Sequence, residues 1–119
     1  MNVVFQTRKK FTYVIDAKAE MISPQILNKI KSRATALNIP FKDIRESRRK
    51  GKKIEIELVT PVGTSIVHFG ADGSQTFIEG ASKEKRDSYR ARHAKVMIAG
   101  MPAYQLRYTP AFLSWHLLW

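Results

Sequence analysis

Three histidines and two clusters of basic residues are the side chains that could carry chemistry in this sequence. His68, His93 and His116 could together ligate a metal, or His93 could serve as the general base of a nuclease. No two of them have the i, i+4 spacing that places two ligands on one helix face, and no carboxylate stands in a fixed relation to them. The absence of cysteine excludes disulfides, thiolate zinc sites and Cys nucleophiles. We expect no catalytic residue, no metal and no cofactor.

A glycine-containing segment at residues 70–74 invites comparison with a phosphate-binding loop. Gly70 and Gly73 are not followed by the Lys-Ser/Thr pair of that motif, and no helix opens directly after them. We therefore interpret the segment as a structural turn, in which the two glycines supply backbone freedom.

The basic clusters carry the stronger signal. One lies at a predicted hairpin tip and comprises Arg48, Arg49, Lys50, Lys52 and Lys53. The other lies on a predicted helix and comprises Lys83, Lys85, Arg86, Arg90 and Arg92. Within it, Lys83, Arg86 and Arg90 share one helix face, as contact with successive phosphates would require. The net charge of +11 means that acidic neighbours do not neutralise these clusters. A solvated face is the alternative, but we favour contact with nucleic-acid phosphates, without base recognition.

The elements that must position these clusters predict an α+β fold: a small antiparallel meander sheet packed with two to three helices, the last an apolar C-terminal helix. Residues 1–16 are expected to form an N-terminal arm or strand. Ser23 and Pro24 begin a helix that ends at residues 38–40, Ser82 is the expected cap of the second helix, and Thr109 and Pro110 begin the C-terminal helix. Three strands follow between residues 41 and 69, with a short edge strand expected at 75–79 and a second helix over 83–97.

Alternation along the middle strand predicts one dry face. Ile54, Ile56 and Leu58 alternate with charged residues at 53, 55 and 57, so the charged side chains are expected to face solvent.

Length and composition indicate one domain spanning residues 1–119. The chain has 119 residues, of which 44% are apolar and 26% charged, which suits a modest core rather than a disordered chain. The first eight residues lack the pattern of a signal peptide, and the most apolar stretch, 108–119, is too short to cross a membrane. We expect a soluble intracellular protein with no membrane span and no small-molecule substrate.

The tail at residues 110–119 is too apolar for a free, solvated end. It contains Phe112, Leu113, Trp115, Leu117, Leu118 and Trp119. These residues either complete the domain's own core or dock on a partner protein, and both alternatives stay open. Phe112, Trp115 and Trp119 are the candidate partner-binding residues, with Trp119 the first choice.

Three motifs together resemble a family of small basic proteins encoded by large eukaryotic DNA viruses and some tailed phages. They are Val67-His68-Phe69-Gly70-Ala71, Tyr89-Arg90-Ala91-Arg92-His93 and the closing segment from Thr109 to Trp119. The segment 77–80 departs from the family pattern, which has Tyr-Thr-x-His there. The resemblance implies a viral origin and a non-enzymatic protein found in the virion, and in the host cytoplasm during assembly.

The leading hypothesis is a minor capsid-type structural protein that docks on viral particle proteins and faces nucleic acid with its basic surface. The alternative is a dedicated nucleic-acid-binding protein without sequence preference, or a ribosomal-type particle component. A nuclease is the third hypothesis.

Overall fold

A computed structural model describes residues 22–119, which contain three α-helices, a three-stranded antiparallel sheet and a two-stranded ribbon. The helices are α1 (Pro24–Ala36), α2 (Lys83–His93) and α3 (Pro110–Leu117). The strands are β1 (Phe41–Glu46), β2 (Lys52–Thr60), β3 (Gly63–Ala71), β4 (Met97–Ile98) and β5 (Met101–Pro102). This arrangement confirms the α+β fold. The predicted arm or strand over residues 1–16 lies outside the described residues.

Each helix begins at a hydroxyl side chain that caps its first turn. Ser23 Oγ accepts a hydrogen bond from the Ile26 N–H at 3.2 Å, and Thr109 Oγ1 accepts one from the Phe112 N–H at 3.1 Å. Both caps precede a proline, whose missing N–H costs nothing at the first helical position. Ser82 caps α2 in the same way. The helix starts expected from the sequence are therefore confirmed.

The sheet has the order β1-β2-β3, so β2 is its central strand. Ile56 pairs with Ile44 on one side and Val67 on the other, and Ile54 pairs with Phe69. These side chains meet α1 and α3 in a single core. Its fully buried members include Ile30, Ala34, Ile54, Ile56, Phe69, Leu113, Leu117 and Leu118.

The face of β2 opposite this core is also covered, contrary to the expectation of one dry face. Lys53 and Glu55 are 6% and 0% exposed. Both are charged, and both are paired: Lys53 Nζ lies 3.1 Å from Glu79, and Glu55 is held by Arg45 and Arg48. Alternation identifies the apolar face of a strand. It does not show that charged side chains on the other face can also be buried when each has a partner of opposite charge.

Residues 75–79 do not form the expected edge strand. Phe77–Glu79 is a 3₁₀ turn in which the Glu79 carboxylate accepts hydrogen bonds from both the N–H and the hydroxyl of Thr76, at 3.0 and 2.7 Å. A side chain therefore satisfies backbone groups that a strand partner would otherwise bind.

The second helix is shorter than expected, because it ends at His93 rather than at residue 97. The chain then enters β4, reverses at Ala99 and Gly100, which both have positive φ, and returns as β5. This reversal produces an apolar hairpin, part of which the sequence pattern had assigned to the second helix.

Candidate nucleic-acid interface

An open cleft of about 430 Å³ is lined by members of both predicted basic clusters. Its walls are the first residue of β2, the last residues of β3, one side of α2, and α3 with the residue Trp119 that follows it. Lys52 comes from the hairpin cluster, whereas Lys85 and Arg92 come from the helix cluster. The cleft therefore combines Lys52 with helix cations that are 33 and 40 positions further along the sequence, and its lining contains no Asp or Glu.

Tyr89 fixes the side of α2 that faces the cleft. It is the buried residue of this helix, its ring stacks on Trp119 with centroids 4.5 Å apart, and its hydroxyl donates to Ser114 Oγ at 3.1 Å. Lys85 and Arg92 stand one turn on either side of Tyr89, so they reach the cleft while remaining exposed. Burial raises the pKa of Tyr89. The hydrogen bond to Ser114 and the charges of nearby arginines act in the opposite direction but are outweighed. Its hydroxyl therefore stays neutral.

His93 also lines the cleft, in a fixed orientation. Its ring stacks on Tyr89 with centroids 3.9 Å apart, and its Nδ1 lies 2.9 Å from the Tyr89 carbonyl oxygen. A carbonyl only accepts, so Nδ1 carries the proton and donates it. Nε2 remains for contact with a ligand. Because the cleft lining offers no carboxylate, the nuclease hypothesis gains no acid partner for His93 from this geometry.

The hairpin tip places its other cations beside the cleft. Arg49 and Lys50 are exposed, and Gly51, at φ +86°, makes the turn and accepts a hydrogen bond from the Asp72 N–H at 3.1 Å. Arg48 is 71% exposed, although its guanidinium also pairs with Glu55 at 2.7 Å. Four of the five predicted hairpin cations thus belong to one accessible region.

Lys53 does not belong to it. Its side chain is 7% exposed, and its ammonium group lies 3.1 Å from Glu79 Oε1. This lysine joins β2 to the 3₁₀ turn, and we remove it from the candidate interface.

Glu55 stabilises the base of the hairpin. Its carboxylate accepts hydrogen bonds from the Arg48 N–H, from Arg48 Nε and from Arg45 Nε, at 2.9, 3.0 and 2.7 Å. Burial by itself raises the pKa of this carboxyl, but the hydrogen bonds from Arg48 and Arg45 outweigh it and lower the pKa to about 2. The ionised carboxylate therefore holds the backbone from which the tip extends.

Ser47, His68 and Glu55 lie together but do not form a hydrolytic triad. Ser47 Oγ is 2.8 Å from His68 Nδ1, and Glu55 Oε1 is 3.7 Å from the same nitrogen. A triad needs the serine and the carboxylate on opposite ring nitrogens. Ser47 is also only 2% exposed, so no substrate carbonyl can reach it. The cluster is a structural network.

Arg86 and Arg90 lie on a different face of α2 from the cleft. The Arg86 guanidinium stacks 4.6 Å from the centroid of Phe77, and that of Arg90 lies 5.3 Å from Trp115. Lys83 is exposed at the start of the helix. The expected face of Lys83, Arg86 and Arg90 therefore does not project as one row, because two of the three side chains fold onto aromatic rings.

The apolar tail packs mainly into the domain. Trp119 is 6% exposed and lies in the core, so it does not offer an open docking surface. Trp115 and Phe112 are half-buried; Trp115 stacks on Tyr104 with centroids 3.9 Å apart, and Phe112 contacts Tyr108 and His116. Of the two alternatives left open by the sequence, the own-core arrangement describes Trp119.

Sequence reasoning missed two features of this region. Tyr89 and Trp119 form the aromatic wall of the cleft, and a single tyrosine in a highly charged helix was the available signal. Exposed apolar side chains also occur on the β4–β5 hairpin and on the residue before it, and together they form a second missed feature. Its members are Val96, Met97, Ile98 and Met101, which are 46, 54, 45 and 47% exposed.

Residues 22–119 contain neither a metal-binding cluster nor a membrane-spanning helix. Over that range, no three His, Asp or Glu side chains come together in a way that could hold a metal ion. None of the helices in the same range has the length and apolar character needed to span a lipid bilayer.

Comparison with known proteins gives one match. Residues 42–93 match the model of a family of unknown function (DUF5754). The matched range is less than half of the chain; it contains the hairpin and all of α2, but not α3. No curated protein matches, and no solved structure matches. The cleft is thus built mostly from the matched range and is closed by Ala111, Ser114 and Trp119 from outside it.

Proposed function

We propose that this chain is a non-enzymatic protein that binds nucleic acid through its phosphate backbone, as a structural component of a DNA virus or phage particle. The convergence of the two basic clusters on one cleft is the observation that supports nucleic-acid binding. The particle setting is supported by the motif resemblance described above.

The chemistry of the cleft suits a phosphodiester strand. Lys52, Lys85 and Arg92 present cations around an opening without a carboxylate in its lining, so a polyanion meets attraction from several sides. The exposed tip residues Arg49 and Lys50 extend the positive surface beyond the cleft. The cleft offers long cations, whereas its aromatic rings Tyr89 and Trp119 are 7% and 6% exposed and stack on each other. Little of their ring faces is free to stack on a base, which favours backbone contact over base recognition.

Docking on particle proteins is assigned to the β4–β5 hairpin rather than to Trp119. An apolar surface of this kind is typical of a protein-binding site, and it stands directly after α2. Replacement of Met97 and Ile98 by Ser should leave folding and oligonucleotide binding intact but reduce the copy number of the protein in purified particles. Undiminished incorporation would place the docking surface elsewhere.

The test of nucleic-acid binding is a salt titration with fluorescent single-stranded and duplex oligonucleotides. The triple variant Lys52→Gln, Lys85→Gln, Arg92→Gln removes three cleft cations. For each lost phosphate contact, the slope of log affinity against log salt should flatten by about 0.7 for single strands and about 0.9 for duplex. We therefore expect a total loss of roughly two units of slope for single strands and nearly three for duplex.

A matched control removes three exposed cations that do not line the cleft, by Lys29→Gln, Lys42→Gln and Arg107→Gln. This variant has the same net charge as the cleft variant. It should keep most of the affinity and slope of the wild type. Equal losses in both variants would show that net charge, and not the cleft, binds the oligonucleotide.

The dedicated nucleic-acid-binding alternative makes a different prediction. A protein whose main ligand is nucleic acid binds it tightly alone and loses affinity steeply with salt, whereas a particle component needs its protein lattice to be ordered on the nucleic acid. Copy number in purified particles therefore decides between the two.

A further inference from the structure

Two arginines of α2 that do not line the cleft stack on aromatic rings. Arg86 and Arg90 are one helical turn apart, on Phe77 of the 3₁₀ turn and on Trp115 of α3. Both of those segments pack against α1, the helix that carries the half-buried Arg33. Three guanidinium groups from two helices therefore lie in the same part of the molecule.

The hydrogen-bonding state of these arginines is incomplete. Nε of Arg86 and Nε of Arg90 are buried and have no hydrogen-bond partner. Arg86 Nε lies 3.6 Å from Asp87 Oδ1, which is too far for a hydrogen bond. Arg90 Nη2 donates to the Trp119 carbonyl oxygen at 3.1 Å. Stacking occupies the flat faces of the guanidinium groups, so an oxyanion can meet these arginines only through their in-plane N–H donors.

The positive charge of this region is not balanced by acidic neighbours. Among residues 22–119, the exposed Asp87 is the acidic side chain within ion-pair distance of Arg86, and no Asp or Glu side chain pairs with Arg33 or Arg90. Over this range, the main-chain oxygen of Trp119 is the acceptor that Arg90 contacts. Burial lowers the pKa of Arg33, and the charges of Arg90 and Arg86 lower it further. Burial likewise lowers the pKa of His116, and the charges of Arg90 and Arg33 lower it further. The hydrogen bond with the Tyr104 backbone raises this pKa but is outweighed.

We propose that Arg33, Arg86 and Arg90 form a second anion site, separate from the cleft, that binds a phosphate-type oxyanion. Several planar guanidinium donors match the several acceptor oxygens of a phosphoryl group better than the two of a carboxylate. The bound anion would also offset the mutual repulsion of the arginines. The site does not depend on nucleic-acid binding at the cleft.

Inorganic phosphate is the probe that tests this site. Thermal unfolding of the full chain is followed in sodium phosphate and in sodium chloride of matched ionic strength. We expect a saturable rise in melting temperature with phosphate that chloride does not give. Arg33→Gln should weaken phosphate binding by roughly tenfold to a hundredfold, because it removes charge-assisted hydrogen bonds. In chloride the same variant should be at least as stable as the wild type, since one repelling charge is gone.

Two further variants make the result specific. Lys42→Gln causes the same change of charge at an exposed lysine that lies in neither the cleft nor the arginine cluster, and should leave the phosphate response intact. Arg33→Lys keeps the charge but loses the planar fork, and should show an intermediate response. A wild type that phosphate stabilises no more than chloride does, or an Arg33→Gln variant with an unchanged phosphate response, would overturn the proposal.

Two sources could supply the phosphoryl group: free phosphate or a nucleic-acid phosphodiester. If the phosphodiester is the natural ligand, Arg33→Gln also weakens oligonucleotide binding and phosphate competes with the oligonucleotide. If free phosphate is the ligand, oligonucleotide affinity is unchanged. Either result supports the site. A failure of the cleft variants to change oligonucleotide affinity would contradict the proposed function but not this site.

Discussion

Glu55 is the residue whose replacement should most directly expose the energetics of the hairpin base. Its carboxylate is 0% exposed and accepts three hydrogen bonds from Arg45 and Arg48. Its pKa falls from an ordinary value of 4.5 to about 2, which at about 1.4 kcal/mol per pKa unit corresponds to about 3 kcal/mol of stabilisation. Arg48 is 71% exposed, so solvent screens part of this interaction. We therefore expect Glu55→Gln to lower the free energy of unfolding at pH 7 by about 2 kcal/mol.

The pH dependence gives this prediction its sharpest form. Because the folded-state pKa of Glu55 lies below the unfolded value, its contribution is fully present above pH 4.5 and is lost as the pH falls towards 2. Urea unfolding of the wild type and of Glu55→Gln, measured from pH 7 to pH 2.5, should therefore give curves that converge below about pH 4.5. The variant lacks the titrating group, so its stability should change less over this range.

Glu84→Gln provides the control, since Glu84 is an exposed carboxylate on α2. Its curve should stay close to that of the wild type throughout. A stability difference between wild type and Glu55→Gln that stays constant from pH 7 to pH 2.5 would refute the reasoning. The same holds for a Glu55→Gln variant as stable as the wild type at neutral pH.

Three further changes test the packing around the cleft, each by urea unfolding. Gly70→Ala should lower the free energy of unfolding by about 2–3 kcal/mol, because a Cβ there would lie 2.8 Å from Leu118 Cδ1 and 3.1 Å from Lys53 Cβ. Gly73 also has a positive φ, but a Cβ there would meet no atom, so Gly73→Ala should lower it by only about 1 kcal/mol. Equal costs would mean that the close packing of Gly70 is unimportant. Trp119→Ala should cost about 3 kcal/mol, because it removes the ring stacked on Tyr89; a cost below about 1 kcal/mol would return Trp119 to the surface. Lys53→Gln should cost about 2 kcal/mol and leave oligonucleotide affinity unchanged, since its ammonium group pairs with Glu79; weaker binding by a folded Lys53→Gln variant would restore Lys53 to the interface.

Much of the fold could be predicted because its signals are local. Ser23-Pro24 and Thr109-Pro110 each combine a capping hydroxyl with proline, and both begin helices as expected. The alternation of Ile54, Ile56 and Leu58 identified the core face of β2. These patterns depend on neighbouring residues only, so the sequence contains all the information they need.

The errors occur where a distant partner decides the structure. Lys53 appears in a basic run, but its position opposite Glu79, 26 residues away, can be known only from the fold. Thr76 and Glu79 form a side-chain-capped turn where β propensity suggested a strand. Helical spacing could not show that residues 97–102 form a hairpin, because the pairing of Met97 with Pro102 depends on the reversal at Ala99 and Gly100.

The candidate site was predicted in composition but not in arrangement. The two basic clusters were identified, yet nothing in the sequence indicated that Lys52 and Lys85 would line the same cleft. The choice between core and interface for the tail was likewise open, because apolar residues serve both purposes. Only the position of Tyr89 beside Trp119 decides it for that tryptophan.

The division of α2 into two charged faces follows from how little of the helix is buried against the rest of the domain. A helix of 11 residues is marginal by itself in water, and Tyr89 is its one buried residue. The remaining packing must come from the arginine stems, which explains why Arg86 and Arg90 cover Phe77 and Trp115 instead of extending into solvent. Lys85 and Arg92, on the other side of Tyr89, are not needed for packing and stay exposed at the cleft. The basic residues of α2 therefore fall into two groups: Arg86 and Arg90 attach the helix to aromatic rings, whereas Lys85 and Arg92 face the cleft.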